Sequence, residues 1–242
     1  MTVKAFLHSL AALCFPPRCL CCDRTLAAPT DFLFCPDCLA AIDLIHEPLC
    51  PICGRAYPNA AGDNHLCGNC LRKPPHFTSA RAVAHYREPL TSALHTFKYN
   101  GGTCGLASFA ELHRRLPHLP TGAEADCIVP VPLHPRRLRE RGFNQALLLA
   151  QAFFPAQRHL IDPGLLIRPT WTPPQTSLTG QTRRHNLRGA FAVAAPARIR
   201  GKTILLIDDV FTTGSTVNEC ARTLRKNGAT AVHVLTLARV AE

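Results

Sequence analysis

The chain has 242 residues, of which 47% are apolar, which is enough for a packed core in one large domain or two unequal ones. None of its apolar runs is long enough to span a membrane as a helix. The formal net charge is +11; residues 1–75 contain six basic and six acidic residues, whereas residues 76–242 contain 21 and ten. A polyanionic partner, either a diphosphate or a nucleic acid, is therefore expected on the C-terminal part.

The first 15 residues have the pattern of a short amphipathic helix. Their apolar side chains Phe6, Leu7, Leu10, Leu13 and Cys14 fall on one helical face. A histidine and a serine interrupt the run and no small-residue cleavage site follows it, so a helix is favoured over a signal peptide. Free thiols without an export signal predict a reducing cytoplasm.

Cysteine is the unusual residue of this chain, with 13 in total and ten in the first 70 positions. Eight of them form Cys-x-x-Cys pairs, each of which can aim two thiolates at one zinc ion. Gaps of 12 and 13 residues favour two structural zinc ribbons in tandem over a cross-brace, and disulfides or a redox pair are the wider alternative. The predicted ligands are Cys19, Cys22, Cys35 and Cys38 for one site and Cys50, Cys53, Cys67 and Cys70 for the other. The remaining Cys127 and Cys220 have apolar neighbours and are predicted core residues.

A Pro-Pro hinge at residues 74–75 marks the expected boundary between an N-terminal helix and double zinc-ribbon module, residues 1–75, and a larger domain, residues 76–242. That domain opens with a predicted strand at residues 81–86 and helices at 89–98 and 104–116, with a glycine turn between the helices. Prolines in the apolar run 128–133 cannot donate to a strand ladder, so we expect the strand to end there and lead into an active-site loop.

Two basic segments follow, at residues 134–141 with four arginines and at 181–188 with three. The planar guanidinium group suits bidentate contacts with phosphate. Between them, Phe143 and Asn144 are expected at the start of a helix that reaches about residue 154. For Phe143 a core contact is favoured over base stacking, and for Asn144 an N-cap and a role in the site are equally open. Residues 160–168 resemble a strand, and 168–188 a loop.

Further predicted elements are strands at residues 191–193, 203–208 and 231–238 and a helix at 215–226 that ends near Gly228. This alternation predicts an α/β fold with a mostly parallel sheet flanked by helices. In such sheets the ligand binds beyond the carboxyl ends of the strands.

The most informative segment is ILLIDDVFTTGST at residues 204–216. A strand leads into two adjacent acids and then into a Thr/Gly/Ser turn that opens a helix. The carboxylates can accept hydrogen bonds from vicinal hydroxyls, and the turn offers backbone N–H groups to a phosphate at a helix N-terminus. A sugar phosphate presents both groups at that separation.

This segment resembles the phosphoribosyl diphosphate (PRPP) signature of type I phosphoribosyltransferases. With the strings FKYNGG, PVPLHPRRLRERGFNQ and RRHNLRGAF, and with the paired zinc knuckles, the chain resembles the ComF/GntX family over nearly its whole length. The resemblance implies an N-terminal zinc-binding segment joined to a type I phosphoribosyltransferase-like domain.

The resemblance also assigns the expected site. Asp208 and Asp209 would face the ribose hydroxyls, and Lys98 would neutralise the diphosphate leaving group. Magnesium bound to the diphosphate is implied as well. Tyr99 and Gly101, in the same loop as Lys98, would face the diphosphate. A mobile loop that closes over the diphosphate would contain Arg136, Arg137, Arg139 and Arg141. The residues around the 5-phosphate would be Thr212, Thr213, Gly214, Ser215 and Thr216.

The implied activity is phosphoribosyl transfer to an acceptor that the sequence does not identify. Some family members act in DNA uptake during natural transformation, which implies single-stranded DNA and competence proteins as partners; others carry names linked to gluconate use. A non-catalytic single-stranded DNA-binding competence factor and a PRPP-sensing regulator are the alternatives. Trp171, the only tryptophan, is a candidate for stacking on a base.

Overall fold

A computed structural model describes residues 16–26, 32–58, 62–99, 105–171 and 187–241. The helix predicted for residues 1–15, the turn containing Gly101 and most of the second basic segment lie outside these residues. Among the described helices, none is long and apolar enough to cross a membrane.

The centre of the fold is a four-stranded parallel sheet in the order β1-β6-β5-β2, accompanied by a two-stranded antiparallel sheet of β3 and β4. The strands are β1 Ser79–His85, β2 Cys127–Pro130, β3 Leu166–Ile167, β4 Ala192–Val193, β5 Thr203–Phe211 and β6 Ala231–Arg239. The parallel sheet confirms the predicted α/β class. Its two central strands have six apolar residues of nine each, because both faces of the sheet are covered.

Helices cover both faces of this sheet. The described helices are α1 Pro36–Ala41, α2 Gly68–Arg72, α3 Leu90–Tyr99, α4 Leu106–Arg114, α5 Pro135–Arg141, α6 Gln145–Phe153 and α7 Ser215–Lys226. Of these, α3, α4, α6 and α7 pack on the sheet. One core cluster joins α3, α4 and α6 to the sheet through residues such as Phe97, Phe109 and Leu149. A second cluster packs α7 on the opposite face, and it contains Cys127 and Cys220, as predicted for core cysteines.

Two local predictions are wrong. The strand predicted at residues 160–168 is reduced to β3, because Gly164 donates its N–H to Asp162 Oδ1 at 3.1 Å and turns the chain before Leu166. The mobile loop predicted for Arg136, Arg137, Arg139 and Arg141 is the helix α5. Pro135 occupies its first turn, His134 accepts a hydrogen bond from the Arg136 N–H, and Gly142 ends it with φ of 81°.

The prolines behave as predicted in β2. This strand lies at an edge of the four-stranded sheet and ends at Pro130, so its missing N–H interrupts no central ladder. The Val131 N–H then donates to the Ile207 carbonyl at 2.8 Å, which carries the chain toward α5 at the carboxyl end of the sheet.

The segment between the two zinc ribbons covers the opposite edge. Ile45 N–H donates to the Val83 carbonyl at 3.0 Å, and His85 N–H donates to the Asp43 carbonyl at 2.8 Å. The second ribbon adds a bond from Ala80 N–H to the Ile52 carbonyl. Unpaired groups of β1 are thereby satisfied, so the zinc module completes the sheet edge. The boundary near residue 75 stays a prediction.

Candidate functional site

The eight predicted zinc ligands form two clusters. Within each cluster the sulfur atoms lie within 4.8 Å of one another, and the clusters are Cys19, Cys22, Cys35 and Cys38, and Cys50, Cys53, Cys67 and Cys70. Cys22 Sγ and Cys35 Sγ are 3.7 Å apart, and Cys53 Sγ and Cys67 Sγ are 3.6 Å apart. A tetrahedral zinc ion with bonds of about 2.3 Å needs sulfur separations of about 3.8 Å. The tandem arrangement is therefore confirmed and the cross-brace is excluded.

The backbone prepares one thiol in each cluster for metal binding. Cys35 N–H donates to Cys19 Sγ at 3.3 Å, and Cys67 N–H donates to Cys50 Sγ at 3.5 Å. Burial opposes ionisation, but these and neighbouring N–H groups lower the pKa of both acceptor thiols to about 6. No cysteine in the described part of the chain forms a disulfide, so two structural zinc centres fit this donor set.

The acidic pair lies near the carboxyl end of β5 and remains partly exposed. Lys98, in the last turn of α3, places its Nζ 2.8 Å from Asp209 Oδ2, with the two side chains 20% and 18% exposed. Asp208 Oδ1 accepts the Asp209 N–H at 2.9 Å. The structure therefore joins Lys98 and both acids into one polar group, although the acids follow Lys98 by 110 and 111 residues along the chain.

Asp208 is the strongly perturbed carboxyl of this group. Burial, together with the negative charge of Asp209, raises the pKa of Asp208 to about 8, although the Asp209 N–H and Lys98 act in the opposite direction. A buried carboxyl with a raised pKa beside a second acid is typical of a functional site. Asp208 can give up its proton when a cationic or hydrogen-bonding ligand arrives.

This pKa shift predicts how stability depends on pH. Because the folded-state pKa of Asp208 lies above its unfolded value of about 3.9, the folded protein holds an extra proton between those values. The stability from this group is complete below about pH 4 and declines as pH rises through about 8, with a slope of at most about 1.4 kcal/mol per pH unit. Calorimetric melting of the ligand-free protein between pH 5 and 9 should show this decline.

Asp208→Asn is the matched variant for that measurement. It removes the titration, so the melting-temperature difference between variant and wild type should shift in favour of the variant as pH rises. Parallel melting curves for the two proteins across the whole range would contradict the assignment.

The Thr/Gly/Ser turn follows β5 directly. Gly214 has φ of 70° and a β-carbon there would lie 2.5 Å from Cζ of Phe211, so only glycine fits without displacement. Thr213 Oγ1 and Ser215 Oγ are 2.8 Å apart across the turn. The first intrahelical bond of α7 is made by the Asn218 N–H to the Gly214 carbonyl at 2.9 Å. The N–H groups of residues 215–217 precede that bond, and that of Ser215 donates to Thr213 Oγ1 at 3.4 Å. Helix N-termini of this kind are common anion sites.

Sequence reasoning missed one basic residue of this site, Arg168. It follows β3, stacks its guanidinium 5.4 Å from the Phe191 ring centre, and interacts electrostatically with Asp208 and Arg137. Burial lowers the pKa of Arg168. A single arginine outside both basic runs gave little signal in the sequence, since its approach to Asp208 depends on the packing of β3.

The predicted arginines have different environments. Arg137 is half-buried toward Arg168, and Arg139 is exposed. Arg136 pairs with Glu140 at 3.0 Å and covers Trp171, with 4.8 Å from Cζ to the ring centre. Arg141 lies 5.6 Å from the ring centre of Tyr99, which is 61% exposed. Of these arginines, Arg137 interacts electrostatically with Arg168, which in turn interacts with Asp208. Gly101 lies outside the described residues.

The start of α6 agrees with the sequence. Asn144 accepts the Ala146 N–H at 3.0 Å and donates to the Val131 carbonyl at 3.1 Å, so it is both N-cap and anchor of the chain after β2. Phe143 contacts Phe97 with ring centres 6.2 Å apart, as expected for a core residue. These contacts fix the end of α5 beside α3, which carries Lys98.

Comparisons with known proteins agree with this architecture. A model of the double zinc ribbon domain matches residues 10–71, and a model of the phosphoribosyl transferase domain matches residues 169–242. DNA utilization protein YhgH of Escherichia coli (strain K12) is 39% identical over 204 residues, covering 80% of this chain and 85% of that protein. Competence protein F of Haemophilus influenzae is 34% identical over 92% of this chain and 96% of its own length.

A more distant relative has the same extent. Competence protein ComFC of Bacillus subtilis is 29% identical over 238 residues, covering 91% of this chain and 94% of that protein. Glutamine PRPP amidotransferase of B. subtilis, solved with ADP and GMP, aligns with 58% of this chain and 30% of its own at a TM-score of 0.36 and 19% identity, too low to support an argument. The identity and coverage of the curated relatives show that this chain belongs to the ComF/GntX family, whose members join a double zinc ribbon to a phosphoribosyltransferase-like domain.

Proposed function

We propose that this protein binds PRPP together with magnesium and transfers the phosphoribosyl group to a nitrogen acceptor. The observation that carries the proposal is the polar group of Lys98, Asp209 and Asp208, which lies a few residues before the Gly214 turn at the N-terminus of α7. A ribose 5-phosphate needs hydroxyl acceptors and phosphate donors at that separation.

Each part of this site has a task in the transfer. The carboxylates of Asp208 and Asp209 accept hydrogen bonds from the ribose hydroxyls and offset the positive charge that develops on the sugar. The N–H groups at the start of α7 hold the 5-phosphate. Lys98 exchanges its bond with Asp209 for the diphosphate, and Arg137 and Arg168 add positive charge on the same side.

Magnesium fits the chemistry of this donor set. The carboxylate and diphosphate oxygens are hard ligands of the kind that Mg²⁺ prefers, and the ion would stabilise the leaving diphosphate. The protein's own contribution is to place two acids and a lysine beside the diphosphate. The side chains of Lys98 and Asp209 are only 20% and 18% exposed there.

We propose the cellular process that this reaction serves from the names of the relatives. Proteins named for DNA utilization and for competence share most of this sequence, so we propose that the acceptor or its source is incoming single-stranded DNA and that competence proteins are partners. The excess of positive charge after residue 75 suits such a polyanion. Thiols that bind zinc rather than forming disulfides favour a reducing cytoplasm.

Calorimetric titration with PRPP, with and without magnesium, tests the proposal. Saturable binding that is strengthened by magnesium is expected, followed by diphosphate release when the protein is screened against nucleobases and nucleobase-containing oligonucleotides. Binding without any release would favour the PRPP-sensing alternative. Failure of PRPP to bind while single-stranded DNA binds with a steep salt dependence would favour the non-catalytic DNA-binding alternative.

Two arginines of α5 offer a matched comparison. Arg137→Gln should weaken PRPP binding about tenfold, because Arg137 is half-buried on the side of Asp208 and Arg168. Arg139→Gln should change it less than twofold, because Arg139 is exposed on the same helix. Titration of both variants with PRPP and magnesium decides the point, and equal losses would show that α5 acts only through its general charge.

A further inference from the structure

We propose that Arg239 is a positioning residue through which the second zinc ribbon holds the phosphate-binding turn in shape. This inference rests on the proposed function insofar as it concerns PRPP affinity. It names a physical connection between Cys53 and the Gly214 turn, and it makes the ligand site dependent on one of the two zinc centres.

The first contact joins Arg239 to the zinc ribbon. Arg239 ends β6 and is only 4% exposed, and its Nη1 donates a hydrogen bond to the carbonyl oxygen of Cys53. No carboxylate in the described part of the chain forms an ion pair with it. A buried cation without a carboxylate needs another source of negative charge. Four thiolates around a zinc ion carry a formal charge of −2, and Cys53 is one of those four ligands.

The second contact joins Arg239 to Phe211. Arg239 and Phe211 are partners in the register of β5 and β6, and the guanidinium carbon lies 4.5 Å from the centre of the Phe211 ring. Val240 N–H donates to the Phe211 carbonyl at 2.9 Å, and Phe77 packs edge-on against the ring at 6.2 Å between centres. The orientation of the Phe211 ring is therefore set by neighbours on several sides.

The third contact joins Phe211 to the turn. The space that a β-carbon on residue 214 would fill is occupied by the Phe211 ring, whose Cζ, Cε1 and Cε2 lie 2.5, 3.0 and 3.2 Å from that point. The turn thus rests directly on the ring. A shift of the ring by even 1 Å would either open a gap beneath the turn or push it outward, since protein interiors are closely packed.

The first zinc ribbon provides an internal control. Its Leu20 and Phe34 belong to the core cluster that contains Phe109 of α4, and Leu20 contacts Gly105. Its described contacts are with that helical face, whereas Cys53 of the second ribbon contacts Arg239. Loss of the first zinc ion should therefore disturb α4, and loss of the second should disturb the turn.

Arg239→Met tests the connection without touching a zinc ligand. Hydrogen exchange of the ligand-free protein should become faster in the peptide that covers residues 211–217 and stay unchanged in α4, while elemental analysis still finds two zinc ions per chain. PRPP affinity should fall about tenfold. Arg239→Lys keeps the charge but not the planar stack and should recover part of both effects. Unchanged exchange at residues 211–217 in Arg239→Met would overturn the inference.

Substitution of one zinc ligand in each site provides a second test of the inference. Cys70→Ser, in the second site, should lower PRPP affinity at least tenfold, whereas Cys38→Ser, in the first site, should change it less than threefold. Equal losses in the two variants would also overturn the inference. If wild-type protein binds no PRPP, the proposed function fails, and the exchange comparison of Arg239→Met, Arg239→Lys and wild type still decides whether the connection exists.

Discussion

Replacement of Asp208 and Asp209 together by asparagine is expected to lower PRPP affinity at least 100-fold. Each carboxylate would lose a charge-assisted hydrogen bond to a ribose hydroxyl, and such bonds contribute about 1.5–3 kcal/mol each. Two of them correspond to a factor of about 100 or more. The change also leaves Lys98, which is only 20% exposed, without the carboxylate that it contacts at 2.8 Å.

Calorimetric titration of the double variant with PRPP and magnesium measures this loss. Asp126→Asn is a suitable control, because Asp126 accepts the Thr203 N–H at 2.8 Å at the opposite end of β5. That variant should bind PRPP within twofold of wild type, and both variants should retain two zinc ions per chain. Wild-type affinity in the double variant would show that the ribose is held by other residues.

The centre of this site could be predicted from sequence because its residues are close together along the chain. The acids and the turn fall within 13 residues, so a strand followed by a helix N-terminus is enough to place them together. The zinc clusters were predictable for the same reason: each ligand pair is a local turn, and only the pairing between turns had to be found. Lys98 came from the family resemblance, and its contact with Asp209 is a consequence of packing α3 on the sheet.

The two wrong predictions have local causes. In each case the sequence contains the signal for the observed structure, but another pattern in the same segment is more prominent. Residues 160–168 contain two short apolar runs that are typical of a strand, but the Asp-Pro-Gly sequence between them forces a turn. The family resemblance places the arginines of residues 134–141 on a mobile loop, although Pro135 and Gly142 are ordinary signals for the start and end of a helix.

Other features depend on contacts that no local pattern encodes. The bond from Arg239 to Cys53 joins residues 186 positions apart, and Arg168 reaches the charge of Asp208 only because β3 packs beside the main sheet. In the sequence, an arginine at the end of an apolar strand is indistinguishable from a solvent-exposed strand terminus. Only its burial at 4% exposure shows that it is part of the interior.

Replacement of Gly214 by alanine is expected to be the single change that most disturbs the site. An L-residue with φ of 70° costs about 1–2 kcal/mol. The added β-carbon must also displace the Phe211 ring, whose Cζ would be 2.5 Å away, and overpacking of this kind costs about 1–3 kcal/mol more. We expect a melting temperature lower by about 5 °C or more and a PRPP affinity reduced at least 30-fold.

Gly201→Ala separates the two causes. Gly201 has φ of 74°, but nothing lies within 4 Å of the position that its β-carbon would take. This control should therefore lose stability through the backbone conformation alone and bind PRPP within twofold of wild type, as scanning calorimetry and titration would show. If Gly214→Ala loses no more affinity than Gly201→Ala, the turn does not hold the phosphate; a loss confined to Gly214→Ala would show that affinity depends on how closely the turn rests on Phe211.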